Sequence, residues 1–282
     1  MNKSFSTYET AWCPGCGNFS ILSCLKTALD ELGKDPHEVL MVAGIGQAAK
    51  TPQYISANTF CGLHGRSLPA AQAAKIANEG LTVIVNTGDG DSYGEGGNHF
   101  IHAIRRNVNI THFVHDNQIY GLTKGQSSPT TAVGHLTNAQ AEGNINHPLN
   151  PVLLALAAGA GFVARSFCGD PKHLIAMMKE AINYKGYALV DIFQNCVSFN
   201  KVNTFSWYRE RVYHLEDDYD PTDKANAMKR AMEFGDRIPI GILYREDRPD
   251  YHEMSKVLAG KEPLVDQIQN PNILNDIMME LV

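Results

Sequence analysis

Two apolar runs of strand length, each breaking into a polar turn, limit what this chain can fold into more than any other feature. Leu81-Thr82-Val83-Ile84-Val85 runs into Gly88-Asp89-Gly90-Asp91, and Ile110-Thr111-His112-Phe113-Val114 runs into Asp116-Asn117-Gln118-Ile119-Tyr120. Between them, residues 98–106 read as a crossover helix. A strand-helix-strand unit of this size makes both strands parallel members of one sheet. Their carboxyl ends then present a carboxylate and an amide oxygen side by side, outside the sheet where ligands bind. Hard oxygen ligands with room left for phosphate oxygens suit Mg²⁺ held together with a diphosphate. The glycines let the backbone approach the phosphates closely. The alternative is a plain surface turn followed by an Asx turn, but both halves falling after apolar strands argues against it.

The same alternation continues along the chain. Asn18 or Gly17 can start a helix whose Leu22, Leu25, Leu29 and Leu32 follow helical spacing, with Gly33 at its end. Val39–Ala43 is a short buried strand ending in Gly44-Ile45-Gly46, and residues 68–78 form a small-residue helix closed by Gly80. Asp170 and Pro171 make an N-cap and first-turn pair for a helix through Ile182. Tyr187–Phe193 is another buried strand. The expected fold class is therefore α/β, a doubly wound and mainly parallel sheet. Residues 121–150 carry much Gly, Pro, Asn, Ser and Thr and little periodicity, and a loop this long is usually functional. Beyond about Leu215 the chain turns acidic (Glu216, Asp217, Asp218, Asp220) and loses clear alternation, although residues 238–243 fit one more short strand. The expected organisation is an α/β domain over residues 1–215 and a C-terminal extension over 216–282 that packs on a partner subunit.

A chain of 282 residues with 44% hydrophobic content can bury a substantial core. No stretch approaches the about eighteen apolar residues of a membrane span. Met1-Asn2-Lys3-Ser4-Phe5-Ser6 has no apolar signal core, so a cytoplasmic protein is expected. A net charge of −6 spread along the chain speaks against a nucleic-acid partner, which calls for a basic patch. Six cysteines are too few for a disulfide scaffold at this length. Trp12-Cys13-Pro14-Gly15-Cys16-Gly17 places two thiols two residues apart in a tight turn. That spacing suits one edge of an iron–sulfur cluster, half a zinc site or a redox disulfide. A thioredoxin-like dithiol would follow a long buried strand, whereas mostly polar residues precede this one, and zinc would need a second pair that the chain lacks. Cys196 follows Tyr187–Phe193 and so lies at the same edge of the sheet as the Asp89 turn. Cys24 and Cys168 read as buried core thiols, and Cys61 sits in a loop before a helix.

Gly88-Asp89-Gly90 with Asn117 one supersecondary unit later resembles the thiamine diphosphate signature. From Trp12 to His214 the chain resembles the β subunit of the 2-oxoacid:ferredoxin oxidoreductases. The resemblance is carried by the Trp12-to-Gly17 run, Leu63-His64-Gly65-Arg66, Gly88-Asp89-Gly90-Asp91, Gly97-Asn98-His99 and Arg105-Arg106-Asn107. It continues through Asp116-Asn117-Gln118-Ile119-Tyr120-Gly121-Leu122-Thr123, Ser128-Pro129-Thr130, Asn195-Cys196-Val197 and Phe199-Asn200-Lys201-Val202-Asn203. It implies the diphosphate-side domain of a thiamine diphosphate-binding fold, with a partner α subunit supplying the pyrimidine side, and further γ and δ subunits in some assemblies. It implies that Asp89, the Asn117 side chain and the Ile119 carbonyl bind Mg²⁺. The cofactor would be lined by Gly46, His64, Gly88, Asp89, Gly90, Asp91, Asn117, Ile119, Tyr120, Gly121, Leu122 and Thr123. His64, Lys50 and Lys124 would face the reacting end, with Arg66 in the same loop as His64. The implied activity is oxidative decarboxylation of a 2-oxoacid to acyl-coenzyme A and carbon dioxide. Electrons would leave through one [4Fe-4S] cluster to ferredoxin or a similar acceptor. Two lysines favour a 2-oxodicarboxylate such as 2-oxoglutarate.

Two departures stand against that pattern. The family's cluster has four cysteines, matching here Cys13, Cys16, Cys196 and a third position occupied by Gln47. Cys61 is the nearby loop thiol that would replace it, and a retained cluster is expected because both ends of the set persist. Glu95 stands where the family has an apolar residue, within reach of the cofactor loop or the subunit interface. Two other readings stay open. One is a non-oxidative thiamine-dependent decarboxylase or lyase subunit that has lost the cluster. The other is a non-catalytic scaffold using Cys13 and Cys16 for zinc, against which the intact Asp89, Asn117 and glycines weigh.

Overall fold

Every residue of Ile110–Asp116 and Tyr187–Phe193 is buried, as strands covered on both faces must be. In the structure, a computed structural model describing residues 5–267 and 272–281, they pair at the centre of one eight-stranded sheet. Its strands are β1 (Val39–Ala43), β2 (Asn58–Cys61), β3 (Thr82–Gly88), β4 (Ile110–Asp116), β5 (Phe162–Phe167), β6 (Tyr187–Phe193), β7 (Val212–His214) and β8 (Ile238–Arg245). They lie side by side in the order β2-β1-β3-β4-β6-β5-β8-β7. All neighbours run parallel except β5 and β8, which are antiparallel with a register shift at Val163/Ala164. The doubly wound α/β fold expected from the alternation is the fold observed.

The described helices are α1 (Asn18–Glu31), α2 (Ser67–Ala77), α3 (Gly97–Arg106), α4 (Pro151–Ala157), α5 (Pro171–Asn183), α6 (Phe205–Arg209), α7 (Lys224–Met232), α8 (Tyr251–Met254) and α9 (Ile273–Glu280). α1 and α5 bury their apolar stripes against one face of the sheet, and α2, α3, α4 and α7 against the other. The local signals act as anticipated. Gly33, at φ 65, follows the end of α1, and the Asp170 side chain accepts from the His173 amide at 3.2 Å to start α5 behind Pro171.

Three expectations change. The segment holding Cys61 is not a loop: it ends β2, an edge strand whose four residues are all exposed. Full exposure erases the alternation that would have announced it. Gly90–Glu95 forms one turn of π-helix directly after the Asp89 turn, a wide turn often found at functional sites. A boundary after 215 also falls inside the sheet, because β8 hydrogen-bonds to β5 and carries β7 beside it. Only the chain after Arg245 leaves the sheet.

Strand order positions the site. β1 connects outward to β2 on one side, while β3 connects to β4 on the other. The winding therefore reverses between β1 and β3, and the loops leaving their carboxyl ends diverge into a crevice. Residues 121–150 hold no helix or strand and fold back across this edge through Thr130 and Thr131.

Candidate active site

Four loops line the crevice, those after β1, β2, β3 and β4. Gly46, His64, Gly88, Asp89, Gly90, Asp91, Asn117, Ile119, Tyr120, Gly121, Leu122 and Thr123 all wall this one space of about 60 Å³. The whole expected cofactor set is thus brought together. Asp89 is 1% exposed, and its Oδ2 accepts from the Thr130 hydroxyl at 2.7 Å, while the same hydroxyl lies 2.8 Å from Asp116 Oδ1. One hydroxyl has one proton to give, so the second contact needs a protonated carboxyl. Burial, with the Asp191 and Asp89 charges behind it, pushes Asp116 well above the carboxylate range. Burial also raises Asp89, to about 6, against the bonds from Ser128 and Thr130. Burial thus pushes both carboxyls toward the protonated form, and the Thr130 hydroxyl links them.

Asn117 is oriented from both ends. Its Nδ2 donates to Gln194 Oε1 at 3.0 Å, and its Oδ1 accepts from the Ile119 amide at 3.1 Å, keeping a second lone pair. Asp89 carboxylate, Asn117 amide oxygen and Ile119 carbonyl form a set of three hard oxygens, which fits Mg²⁺ sharing its remaining positions with phosphate or water. A Cβ at Gly90 would lie 2.1 Å from the Tyr120 ring, so only glycine lets Tyr120 lie across this turn. The Tyr120 hydroxyl donates to Glu95 Oε2 at 3.0 Å, so the unusual glutamate does reach the cofactor loop.

Asp91 holds the walls of the crevice together. Its Oδ1 accepts from the Gly65 amide at 2.7 Å and the Ile45 amide at 3.1 Å, and His64 Nδ1 lies 2.8 Å away. A Cβ at Gly44 would sit 2.3 Å from that carboxylate. Asp91 thereby clamps the loops after β1 and β2 against the turn after β3 and fixes the His64 ring, with Glu95 3.6 Å away. Of the three side chains expected at the reacting end, only His64 lines the crevice. Lys124 is exposed on a left-handed backbone (φ 82) next to Thr123, and Lys50 lies half-buried in the 3-10 turn after Gln47. Neither lysine makes an ion pair or a side-chain hydrogen bond among the described residues. Arg66 is exposed and its Nη1 lies 3.2 Å from His99 Nε2, away from the crevice lining.

The thiols gather next door. Cys13-Pro14-Gly15-Cys16 is a type II turn, closed by the Cys16 amide on the Cys13 carbonyl at 3.0 Å, with Gly15 at φ 81. Asn195 ties this turn to the end of β6: its Nδ2 donates to the Gly15 carbonyl, and its own carbonyl accepts from the Gly17 amide. Cys13, Cys16 and Cys196 consequently face one cavity of about 30 Å³. Burial pushes the Cys16 thiol up to about 11, with the Cys196 and Cys13 charges adding to it, so a bound metal would have to supply the charge that ionises it. Gln47 lines the same cavity, and its Oε1 is buried without a hydrogen-bond partner. Cys61 as a substitute fourth ligand needs correction. Its register beside Ala43 on the edge strand keeps it out of the cavity lining, whereas Gln47 turns in from the end of β1. A larger cavity of about 220 Å³ lies behind Asp116 and Thr130, under Phe234, and holds none of the expected ligands.

Two residues of the site were not anticipated from sequence. Thr130 ties Asp89 to Asp116 through its hydroxyl. Gln194 bridges the two chemistries, accepting from Asn117 and donating from Nε2 to Cys16 Sγ at 3.2 Å. The signal for Gln194 was available: it directly follows the carboxyl end of a buried parallel strand, the same edge that carries Asp89 and Asn117.

Known proteins resemble this chain in sequence and in fold. The family model described as thiamine pyrophosphate enzyme, C-terminal TPP binding domain, matches residues 39–192. The model for the C-terminal part of the pyruvate ferredoxin oxidoreductase beta chain matches residues 196–260. The β subunit of 2-oxoacid:ferredoxin oxidoreductase 2 from Aeropyrum pernix is 44% identical over 277 residues, covering 92% of this chain and 90% of its own. The 2-oxoglutarate synthase subunit KorB of Methanocaldococcus jannaschii is 33% identical, covering 89% and 93%. Among solved structures, the 2-oxoglutarate:ferredoxin oxidoreductase of Magnetococcus marinus, with 2-oxoglutarate, coenzyme A and succinyl-CoA bound, superposes with a TM-score of 0.92. It is 36% identical and covers 99% of this chain and 94% of that one.

Proposed function

The chain belongs to the β-subunit family of the 2-oxoacid:ferredoxin oxidoreductases, and we propose that it holds thiamine diphosphate by its tail and receives electrons on a [4Fe-4S] cluster seated on Cys13, Cys16 and Cys196. Asp89, Asn117 and the Ile119 carbonyl would hold the Mg²⁺, with Gly46, Gly88 and Gly90 admitting the phosphates. When bound, thiamine diphosphate supplies the carbanion chemistry at the keto carbon of a 2-oxoacid. This chain's side chains orient and insulate: Asp91 fixes His64, Tyr120 and Glu95 brace the turn, and Thr130 holds the Asp89 carboxylate in place. The observation that carries the electron-transfer reading is a shared wall. Gln47, Asn117 and Gly121 line both the crevice and the thiol cavity, so electrons would have only that wall to cross. Three thiols and the unpaired Gln47 oxygen make up the donor set for the cluster.

The test is iron and acid-labile sulfide analysis of the chain co-purified with its partner. We expect equal amounts of both, and an absorbance that bleaches when a 2-oxoacid and coenzyme A are added. A colourless complex that still releases carbon dioxide would favour the non-oxidative lyase.

The α subunit is the proposed cover for the crevice, with ferredoxin or a similar acceptor beyond the cluster. Exposed Ile45 and Leu122 line the crevice, exposed Phe60 and Leu63 belong to β2 and the loop after it, and α9 exposes Ile273, Leu274, Ile277 and Met278, which suits the chain after Arg245 for packing on a partner. No described helix is long and apolar enough to cross a membrane.

2-Oxoglutarate is the proposed substrate, since Lys124 at the rim has its charge free for a distal carboxylate. Lys124→Gln keeps the Cβ, and so the backbone cost at φ 82, unchanged. It should raise the KM for 2-oxoglutarate by up to about fivefold, the loss of one exposed ion pair of up to about 1 kcal/mol, and leave that for pyruvate nearly unaltered. Equal effects on both would remove the specificity role.

Mg²⁺ binding should also follow pH. The metal needs Asp89 ionised, and burial raises its pKa to about 6. Protons therefore compete below that value, and apparent affinity should fall by up to about tenfold per unit on the acid side. Calorimetric titration from about pH 5 to about pH 8 measures it, and a flat profile would exclude Asp89 as a ligand.

A further inference from the structure

At the end of the sheet opposite the crevice, Glu79, Asp250 and His252 each bring one ligand atom within 4.8 Å of the other two. Glu79 lies in the turn from α2 into the amino end of β3, the strand whose carboxyl end carries Asp89. Asp250 and His252 belong to the segment after β8. Asp250 is 0% and His252 4% exposed, yet Asp250 Oδ2 and both ring nitrogens of His252 have no hydrogen-bond partner. Buried polar atoms are seldom left this way unless something else pairs them. Glu79 is exposed and opens the group to solvent.

The three residues are held from independent directions. Asp250 Oδ1 caps α8, accepting from the Glu253 amide at 2.9 Å, which leaves Oδ2 turned elsewhere. Asn107, left-handed at φ 52, donates to the Pro249 carbonyl at 3.1 Å and accepts from the Tyr251 amide at 3.1 Å. Lys75 pins the Glu79 turn through its Nζ, donating to the Glu79 carbonyl at 2.6 Å and the Leu81 carbonyl at 2.7 Å. Lys75 and Lys185 each feel the Glu79 and Asp250 charges. Lys185, however, is paired with Glu253 at 2.6 Å, and among the described residues neither lysine bridges to Glu79 or Asp250 within 4.0 Å.

We propose that Glu79, Asp250 and His252 bind a first-row divalent transition metal of the Zn²⁺ kind. An imidazole with two carboxylates is too soft a set for Mg²⁺ or Ca²⁺ and suits zinc, with water completing the shell. Zinc ligands stand about 2.0–2.2 Å from the ion, hence up to about 4 Å from each other, so the residues need close in only slightly. The ion would be a staple. It fastens the chain leaving β8 to the start of β3, far from the reacting edge.

The test uses the full chain co-purified with its partner subunit, stripped with chelator and titrated with Zn²⁺ and, as a spectroscopic probe, Co²⁺. Expected are one zinc per chain lost in Glu79→Gln, a surface change that does not threaten folding, and a zinc-dependent rise in Tm that the variant lacks. Binding should weaken by at least about tenfold. Bound Co²⁺ should show visible ligand-field bands without thiolate charge-transfer absorption. Three results would each overturn the site: no zinc binding by the wild-type chain, equal binding and Tm shift in Glu79→Gln and His252→Gln, or a Co²⁺ spectrum dominated by thiolate charge transfer, which would put the ion on the cysteines.

Discussion

Asp89→Asn should abolish Mg²⁺-dependent thiamine diphosphate binding while leaving the unliganded chain folded. Asparagine keeps the shape and still accepts from Thr130, so the turn after β3 and the bond at 2.7 Å have no reason to rearrange. The charge goes, and with it the only ionised ligand in the expected set of three. Loss of a metal's outer supports already costs about 10–100-fold, so loss of its anionic ligand should cost at least about a hundredfold. A second readout separates this from misfolding. Burial raises the Asp89 carboxyl to about 6, so at neutral pH the folded chain holds an ion that its surroundings disfavour. The sign follows: a raised carboxyl pKa removes stability as pH climbs through it, and the neutral amide avoids that loss. The variant without ligand should therefore melt no lower than the parent at about pH 8. Unchanged cofactor affinity by calorimetry would refute the assignment of Asp89 as a ligand.

Cys16→Ser should strip most of the iron from the purified complex, whereas Cys61→Ser should leave iron content and cluster spectra as they were. Cys16 is half-buried, and its sulfur already accepts an N–H from Gln194. A serine hydroxyl is a poor iron ligand, and its bond to Gln194 would compete with any metal. The fold should survive, because the type II turn depends on Pro14, Gly15 and backbone bonds to Asn195 rather than on sulfur. Cys61 lies on an exposed edge strand outside the cavity. If its removal also emptied the cluster, the loop after β1 would have to sit differently from the arrangement seen here, and Gln47 would not be the residue facing the fourth position.

These two variants divide along the line between what local pattern reveals and what it hides. Asp89, Asn117, Cys13, Cys16 and Cys196 were legible because each sits where an apolar run stops or a Pro-Gly turn tightens. Cys61 misled for the converse reason: its strand is fully exposed and leaves no periodic trace. Lys50 and Lys124 carry charge, which sequence displays, but not direction, which it does not.

Local pattern was enough for the central strands, the crossover helices and the parallel doubly wound class, because strands buried on both faces are continuous apolar runs and helices bury one stripe. It also determined which residue types stand at the strand ends. Which ends meet is a property of the assembled sheet. Asp91 clamps loops from β1 and β2, Gln194 reaches from β6 to both Asn117 and Cys16, and β8 closes on β5 across a boundary that composition had suggested. Those contacts depend on strand order and on burial across distant segments. Neither is written into the periodicity of any one of them.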